Sequence, residues 1–297
     1  MINYLLYVVY LVFAIVVKIT PKTIIKYILI LLSKFIYIVD IKHRKIALIN
    51  LDLAYMDTIT NLKKRYIVKK SYENLVFNLY EFVKIQNKTL KDMEKDIILK
   101  DELYILNAIK ENKQIILVTA HYGAWELAIP YISLKFRPIA IISKPIKNKY
   151  INELFKKARK AHNLEMFEKH GAAKKMLKAL KDNKIVAMAI DQNIAQKDGV
   201  AVKFFNNTVT QTDSPIRLAS KVNAVVIPFM LVRHNFDTHE AVFYKPLDID
   251  QNLNQKKIID YSQNISNIFE EQIRRDPTNW FWQHKRFKAF YKDIYER

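Results

Sequence analysis

The sequence predicts an α/β fold, a mainly parallel sheet flanked by helices, preceded by an N-terminal helical membrane anchor. Three observations carry that expectation. Short, nearly all-apolar runs rich in β-branched residues recur between residues 114 and 233. Stretches of helical period separate them. The first forty residues are apolar almost throughout. Runs of the first kind suit strands buried on both faces, and their alternation with helices implies a parallel sheet covered on both sides.

The elements follow in order. Tyr4 to Val17 holds no polar group except tyrosine hydroxyls. Ile2 to Ile19 as a helix would span about 27 Å at ~1.5 Å per residue, just under a bilayer core of about 30 Å. A basic leader and a small-x-small cleavage site are both missing, which argues against a cleaved signal peptide. Pro21 breaks the run, and Thr23 to Val39 is apolar again but carries Lys26 and Lys34. Lys22, Lys26 and Ser33 share one helical side, as in a helix lying among headgroups with its lysines snorkelling. Lys18, Lys22, Lys26 and Lys34 after the first segment put the body on the cytoplasmic side. Residues 1–40 are therefore read as membrane anchor and interfacial helix, and residues 41–297 as one α/β domain.

Residues 41–95 have helical period, with Leu62, Tyr66, Tyr72, Leu75, Val76, Leu79 and Val83 recurring at three and four. The strand candidates are 114–120, 137–143, 184–191 and 223–233, and the helices between them 150–161, 171–182 and 215–222. Ser214 reads as an N-cap with Pro215 at the first helical position. Residues 255–275 read as a further helix, followed by an aromatic and basic tail. Functional groups should gather where such strands end.

Composition excludes several chemistries. The chain lacks cysteine, which removes disulfides, zinc–thiolate sites and cysteine nucleophiles. Three glycines cannot build a phosphate-binding loop of the Walker or dinucleotide type. Neither H-E-x-x-H nor G-x-S-x-G occurs, so a zinc protease and a serine hydrolase are both disfavoured. Against 29 Asp and Glu stand 49 Lys and Arg, a net charge of +20. Such a surface attracts anions, whether phospholipid, phosphorylated substrate, acidic protein or nucleic acid.

The segment "LVTAHYGAWELAI" (117–129) places His121 at the end of a strand run and Glu126 five residues on. In one continuous helix the two would lie about 140° apart around the axis. A turn at Gly123 followed by a helix lets them meet, the carboxylate fixing the imidazole tautomer and leaving the other nitrogen as a base. The plainer reading is a capping histidine and a solvated glutamate. Asp191 and Gln192 end another strand in "AIDQN". "GVAVKFFNNTVTQTDSP" reads as a hairpin, and "WFWQHKRFK" gathers Trp280, Trp282, His284, Lys285, Arg286 and Lys288.

In this order, H-x-x-x-x-E, D-Q, F-F and W-x-H-K-R-F-K, with an early "NLDLAYMD" (50–57), the chain resembles the late acyltransferases of lipid A biosynthesis, the lauroyl/myristoyl transferase family. The resemblance runs nearly the whole length. It implies a fold like that of glycerol-3-phosphate acyltransferases, an acyl–acyl carrier protein donor as co-substrate, and a Kdo-bearing lipid A precursor as acceptor. It also implies a place on the cytoplasmic face of the bacterial inner membrane, with no cofactor, metal or nucleic acid.

Within that resemblance His121 is the general base and Glu126 its orienting partner, with backbone N–H groups near Gly123 as oxyanion donors. Lys144, Asn148 and Arg159 fall on the family's substrate-binding positions after the next strand. Asp191 and Gln192 match its D-Q pair. His284 and Arg286, with Lys285 and Trp282, would grip phosphates and carboxylates of the acceptor. Four departures stand out: Lys144 and Lys285 replace arginines, Asn206 replaces a glycine, and Tyr55-Met56 blurs a Phe-Pro. The nearest alternative is a lysophospholipid or glycerol-phosphate acyltransferase with the same chemistry. A basic membrane-surface or RNA-binding module is the non-enzymatic alternative, and no repeated aromatic–basic platform supports it.

Overall fold

A computed structural model describes residues 2–86, 88–168 and 171–296. The chain opens with α1 (Ile2–Ile19) and α2 (Lys22–Val39), separated at Pro21. Both pack on the body instead of standing free. Val17 of α1 and Ile25 and Leu29 of α2 are buried against Val76, Phe77 and Tyr80. The Lys22 ammonium pairs with Asp237 at 2.7 Å. The expectation of a transmembrane helix is not met, since among the described residues no helix is long and apolar enough to cross a membrane. The opposite faces of α1 and α2 remain exposed, including Leu5, Val9, Val12, Ile24, Leu31 and Phe35.

The helical stretch after residue 40 divides into three: α3 (Ile41–Tyr55), α4 (Asn61–Ile85) and α5 (Leu90–Glu94). Met56 takes a left-handed φ of 44° that ends α3, and the Thr60 side chain starts α4 by accepting the Lys63 N–H. Thr89 and Asp92 form a capping box on α5.

From there strands and helices alternate: β1 (Ile97–Lys100), α6 (Leu103–Lys110), β2 (Ile115–Thr119), α7 (Trp125–Lys135), β3 (Ile139–Ile142), α8 (Lys149–Ala161), β4 (Leu164–Phe167), α9 (Ala172–Lys181) and β5 (Ile185–Ala189). A hairpin follows, β6 (Val200–Phe204) and β7 (Asn207–Gln211). Its two-residue loop has φ of 50° at Phe205 and 60° at Asn206, the doubly left-handed turn that suits hairpin twist. Asparagine tolerates this in place of glycine. Then come α10 (Ser214–Val222), β8 (Val225–Arg233), β9 (His239–Phe243), β10 (Leu247–Asp248) and α11 (Gln255–Arg275). Ser214 is the first residue of α10 and Pro215 the second, one position earlier than the sequence implied.

The sheet has the order β1-β9-β8-β2-β5-β3-β4, with β10 on β8. β8 pairs antiparallel with β9 and β10, and the other neighbours are parallel. All five residues of β2 are buried. Alternate side chains feed two apolar layers: Ile116 and Val118 pack with Met176 and Phe269, Ile115 and Leu117 with Ile105 and Tyr131. Of the strands, β1, β4, β9 and β10 lie outside the sequence candidates. β1 and β4 lie at the sheet edges, where the pattern Beie of β1 offers little apolar signal, β10 has two residues, and β9 (His239–Phe243) begins with two polar residues that break its apolar run.

Candidate active site

The register of β2 on β5 builds the site. Thr119 pairs with Ala189, so two residues further on each strand His121 stands beside Asp191. The His121 backbone N–H donates to Asp191 Oδ2 at 3.0 Å, and its Nδ1 lies 2.8 Å from Oδ1. Trp280 donates its indole N–H to Oδ2 at 2.9 Å. A carboxylate beside Nδ1 selects the tautomer protonated there and leaves Nε2 unprotonated, as a base requires. Asp191 is 4% exposed. Burial pushes its pKa up, but His121 and the donated hydrogen bonds outweigh that and hold it at about 2. Burial likewise pushes His121 down, and the Asp191 charge and hydrogen bond, helped by Glu126, carry it above its ordinary value.

Glu126 is not the partner of His121. Its carboxylate accepts from Arg159 at 3.0 Å across α7 and α8. The reason is geometric: Asp191 already occupies the Nδ1 side of the imidazole, and α8 presents Arg159 to the first turn of α7. The Arg159 guanidinium also lies over the Phe155 ring, 4.4 Å from its centre.

Gly123 makes the turn possible. It has φ +56°, and a Cβ there would sit 1.9 Å from the Leu231 carbonyl oxygen, so any side chain is excluded on both counts. The N–H groups of Tyr122, Gly123 and Ala124 donate to the carbonyls of Ala120, Asn279 and Leu231. Glu126 N–H donates to Asn78 Oδ1. The N–H groups of Tyr122, Gly123, Ala124 and Glu126 are therefore committed and do not serve as oxyanion donors.

Behind the turn, α4 supplies a polar stripe along its buried face. Asn74 and Asn78 donate to the Gly123 carbonyl at 3.1 and 2.8 Å. Arg233 donates its Nε–H to Asn74 Oδ1 at 2.6 Å and both terminal nitrogens to Glu81, at 2.6 and 2.7 Å. Ser71, Asn74, Asn78 and Glu81 are all buried. Their three- and four-residue spacing along an otherwise apolar face was the available sequence signal. In front of the turn, Trp125 and Phe281 lie 5.9 and 6.3 Å from the His121 ring and 5.9 Å from each other. They flank the base with apolar surface.

The remaining sequence candidates divide. Lys144 is exposed and lines a cleft of about 640 Å³ together with Phe155, Lys156 and Lys160. Asn148 is spent on structure: its Oδ1 caps α8 and its Nδ2 donates to the Asn3 carbonyl at 2.6 Å. Gln192 offers its carbonyl to Arg286 at 2.9 Å.

Arg286 is 1% exposed. It donates to Gln192 and Thr210 carbonyls and to Gln211 Oε1, tying the tail to β7. Burial lowers its pKa to about 10, still a cation at neutral pH. It cannot meet an acceptor phosphate. His284 also fails as a cation: burial, opposed by Asp191, pulls its pKa down to about 4. Trp282 is fully buried against Tyr55, Phe205 and Trp280, so it offers no surface for lipid. Among the described residues no three His, Asp or Glu side chains converge to hold a metal.

Comparison with known proteins agrees with a resemblance along most of the chain. A family model described as bacterial lipid A biosynthesis acyltransferase matches residues 1–289. A lipid A biosynthesis acyltransferase of Haemophilus influenzae is 30% identical over 189 residues, 62% of this chain. That alignment spans 59% of the relative, less than two thirds of its length. The crystal structure of the 1-acyl-sn-glycerophosphate acyltransferase of Thermotoga maritima aligns over 86% of this chain and 99% of that one, at 14% identity and a TM-score of 0.41.

Proposed function

The chain belongs to the bacterial lipid A biosynthesis acyltransferase family, and from that premise we propose that it moves a fatty acyl group from an acyl–acyl carrier protein to a hydroxyl of a Kdo-bearing lipid A precursor. The observation that carries the chemistry is the His121–Asp191 contact of 2.8 Å at the end of the central strand. His121 Nε2 takes the proton of the acceptor hydroxyl as its oxygen attacks the thioester carbon. The tetrahedral intermediate collapses, the C–S bond breaks, and the imidazolium returns the proton to the leaving sulfur. Asp191 steadies the imidazolium throughout. With the N–H groups of Tyr122, Gly123, Ala124 and Glu126 committed, Arg159, paired with Glu126, supplies a cation for the developing oxyanion. Trp125 and Phe281 exclude water from the thioester.

The exposed apolar faces of α1 and α2 support a location on the inner membrane, cytoplasmic side, with these helices lying in the headgroup region beside the lipid acceptor. The deciding experiment offers one acyl–acyl carrier protein to the purified full-length enzyme with either a Kdo-bearing lipid A precursor or lysophosphatidate. Transfer to the former, lost in His121→Ala by roughly 10²–10⁴-fold, is the expected result. Transfer to lysophosphatidate alone overturns the acceptor assignment, and wild-type rates in a folded His121→Ala overturn the base.

A further inference from the structure

The chain's positive charge is not spread evenly. Thirteen of the 49 Lys and Arg, against four of the 29 Asp and Glu, fall between residues 144 and 184, a net of +9 out of +20. The fold gathers them around one feature. β4 is the last strand of the sheet and pairs only with β3. α8 packs beside it on one face of the sheet, where Phe155 and Met166 share the floor of the Lys144 cleft. α9 packs on the other face, where Met176 and Leu180 join the opposite apolar layer. Lys156, Lys160, Lys174 and Lys178 are exposed on the two helices. Of the four, only Lys156 has an ion-pair partner among the described residues, Glu153 of its own helix. So much uncompensated like charge around one edge costs stability by self-repulsion and is relieved by an anionic partner.

We propose that this α8–β4–α9 face docks the acidic carrier protein that delivers the acyl thioester; the inference rests on the donor assigned above. Three observations favour a protein over a membrane. Apart from Tyr150, which packs on Tyr7 of α1, no large hydrophobic side chain of α8, β4 or α9 is exposed among the described residues, so this face offers little to insert into lipid. The apolar surface lies on α1 and α2, and α1 meets α8 at its first turn, through Tyr7 against Tyr150. Finally, Lys156 and Lys160 share α8 with Arg159, whose guanidinium holds Glu126. β4 stands three strands from β2, about 14 Å at ~4.8 Å per strand. A carrier seated here can pass a flexible arm over the strand ends to His121.

The test uses the full-length enzyme, Lys156→Glu/Lys160→Glu and Lys174→Glu/Lys178→Glu. It measures anisotropy of a labelled acylated carrier protein at low and moderate salt, and co-sedimentation with phosphatidylglycerol vesicles. Carrier affinity should fall by roughly tenfold or more at low salt, as for charges removed from a complementary interface. Vesicle binding should be kept. Retained carrier affinity overturns the proposal, and lost vesicle binding with retained carrier affinity reassigns the face to the membrane. Should the reversals unfold, Lys156→Gln/Lys160→Gln must show a shallower salt dependence of carrier binding, and an unchanged slope overturns it as well. A wild type that neither binds nor uses the carrier refutes the donor assignment itself.

Discussion

His121 and Asp191 occupy equivalent positions on neighbouring parallel strands, two residues beyond the paired Thr119 and Ala189, and their side chains meet at 2.8 Å. The sheet register alone makes this pair. It leaves Glu126, five residues from His121 in sequence, to hold Arg159 instead. One element thus orients the base and another positions a cation, and the two can be separated by mutation.

Asp191→Asn removes the larger of the two charges that lift His121, so the imidazole pKa falls, with Glu126 the remaining charge opposing burial. The acid limb of kcat/KM, above pH 6.5 in the wild type, should move down in the variant, with turnover lower by about 10²–10⁴-fold. Stability carries the opposite signs of the two groups. Asp191, depressed to about 2, contributes fully above 3.8 and loses that contribution as pH falls toward 2. His121, raised, contributes fully below 6.5 and loses it as pH rises through its folded value. A pH–rate profile unchanged in Asp191→Asn would remove Asp191 from the mechanism.

Asn78→Ala should lower kcat while leaving KM nearly unchanged. The amide donates to Gly123 and accepts from Glu126, so it fixes both sides of the turn. Losing it costs about 1–3 kcal/mol of stability through unsatisfied buried groups. A turn displaced by about 1 Å costs roughly 10²-fold in rate. Thermal melting and steady-state kinetics on one preparation read both effects, and full activity in a destabilised variant would confine Asn78 to folding.

How far the site could be read from sequence follows from range. His121 and Asp191 were each legible as strand-end residues because a buried strand has an unmistakable apolar run before its polar end. Their pairing was not, because β2 and β5 are separated in the chain by α7, β3, α8, β4 and α9, and adjacency in the sheet is a tertiary fact. Proximity in sequence pointed instead to Glu126. The tail misled for a related reason: "WFWQHKRFK" has the composition of a lipid-gripping surface, but Trp280 and Arg286 find partners in Asp191 and the Thr210 carbonyl. Burial against distant segments turns an apparent binding motif into a clamp. The N-terminal helices had legible boundaries, while their seat on α4 depended on side chains fifty residues away.

Arg286→Met should therefore behave as a stability mutant. The methionine nearly conserves volume but leaves the Thr210 and Gln192 carbonyls without their donor. We expect a loss of about 2–4 kcal/mol, since hydrogen bonds to a charged group contribute about 1.5–3 kcal/mol each, with acceptor KM within about threefold of wild type at a temperature where the variant is folded. An unchanged melting temperature with a raised acceptor KM would return Arg286 to the binding site.

The last prediction concerns Arg159 and Glu126. Their side chains are 12% and 25% exposed, buried enough for the contact to escape most screening. If Glu126 serves to hold Arg159 over the reacting carbon, the two act as a unit. Arg159→Ala and Glu126→Ala should each lower kcat, and the double variant should be little worse than Arg159→Ala, a coupling of about 1–3 kcal/mol. Glu126→Gln should lose less than Glu126→Ala, because an amide oxygen still accepts from the guanidinium. Arg159→Lys should recover little, since an ammonium cannot hold the carboxylate and present a second planar N–H at once. Glu126→Gln should also lower the His121 pKa, by less than Asp191→Asn does, because Asp191 is the larger of the two charges acting on the imidazole. Additive single effects in this cycle would mean that Glu126 and Arg159 serve separate steps and that the ion pair only joins α7 to α8.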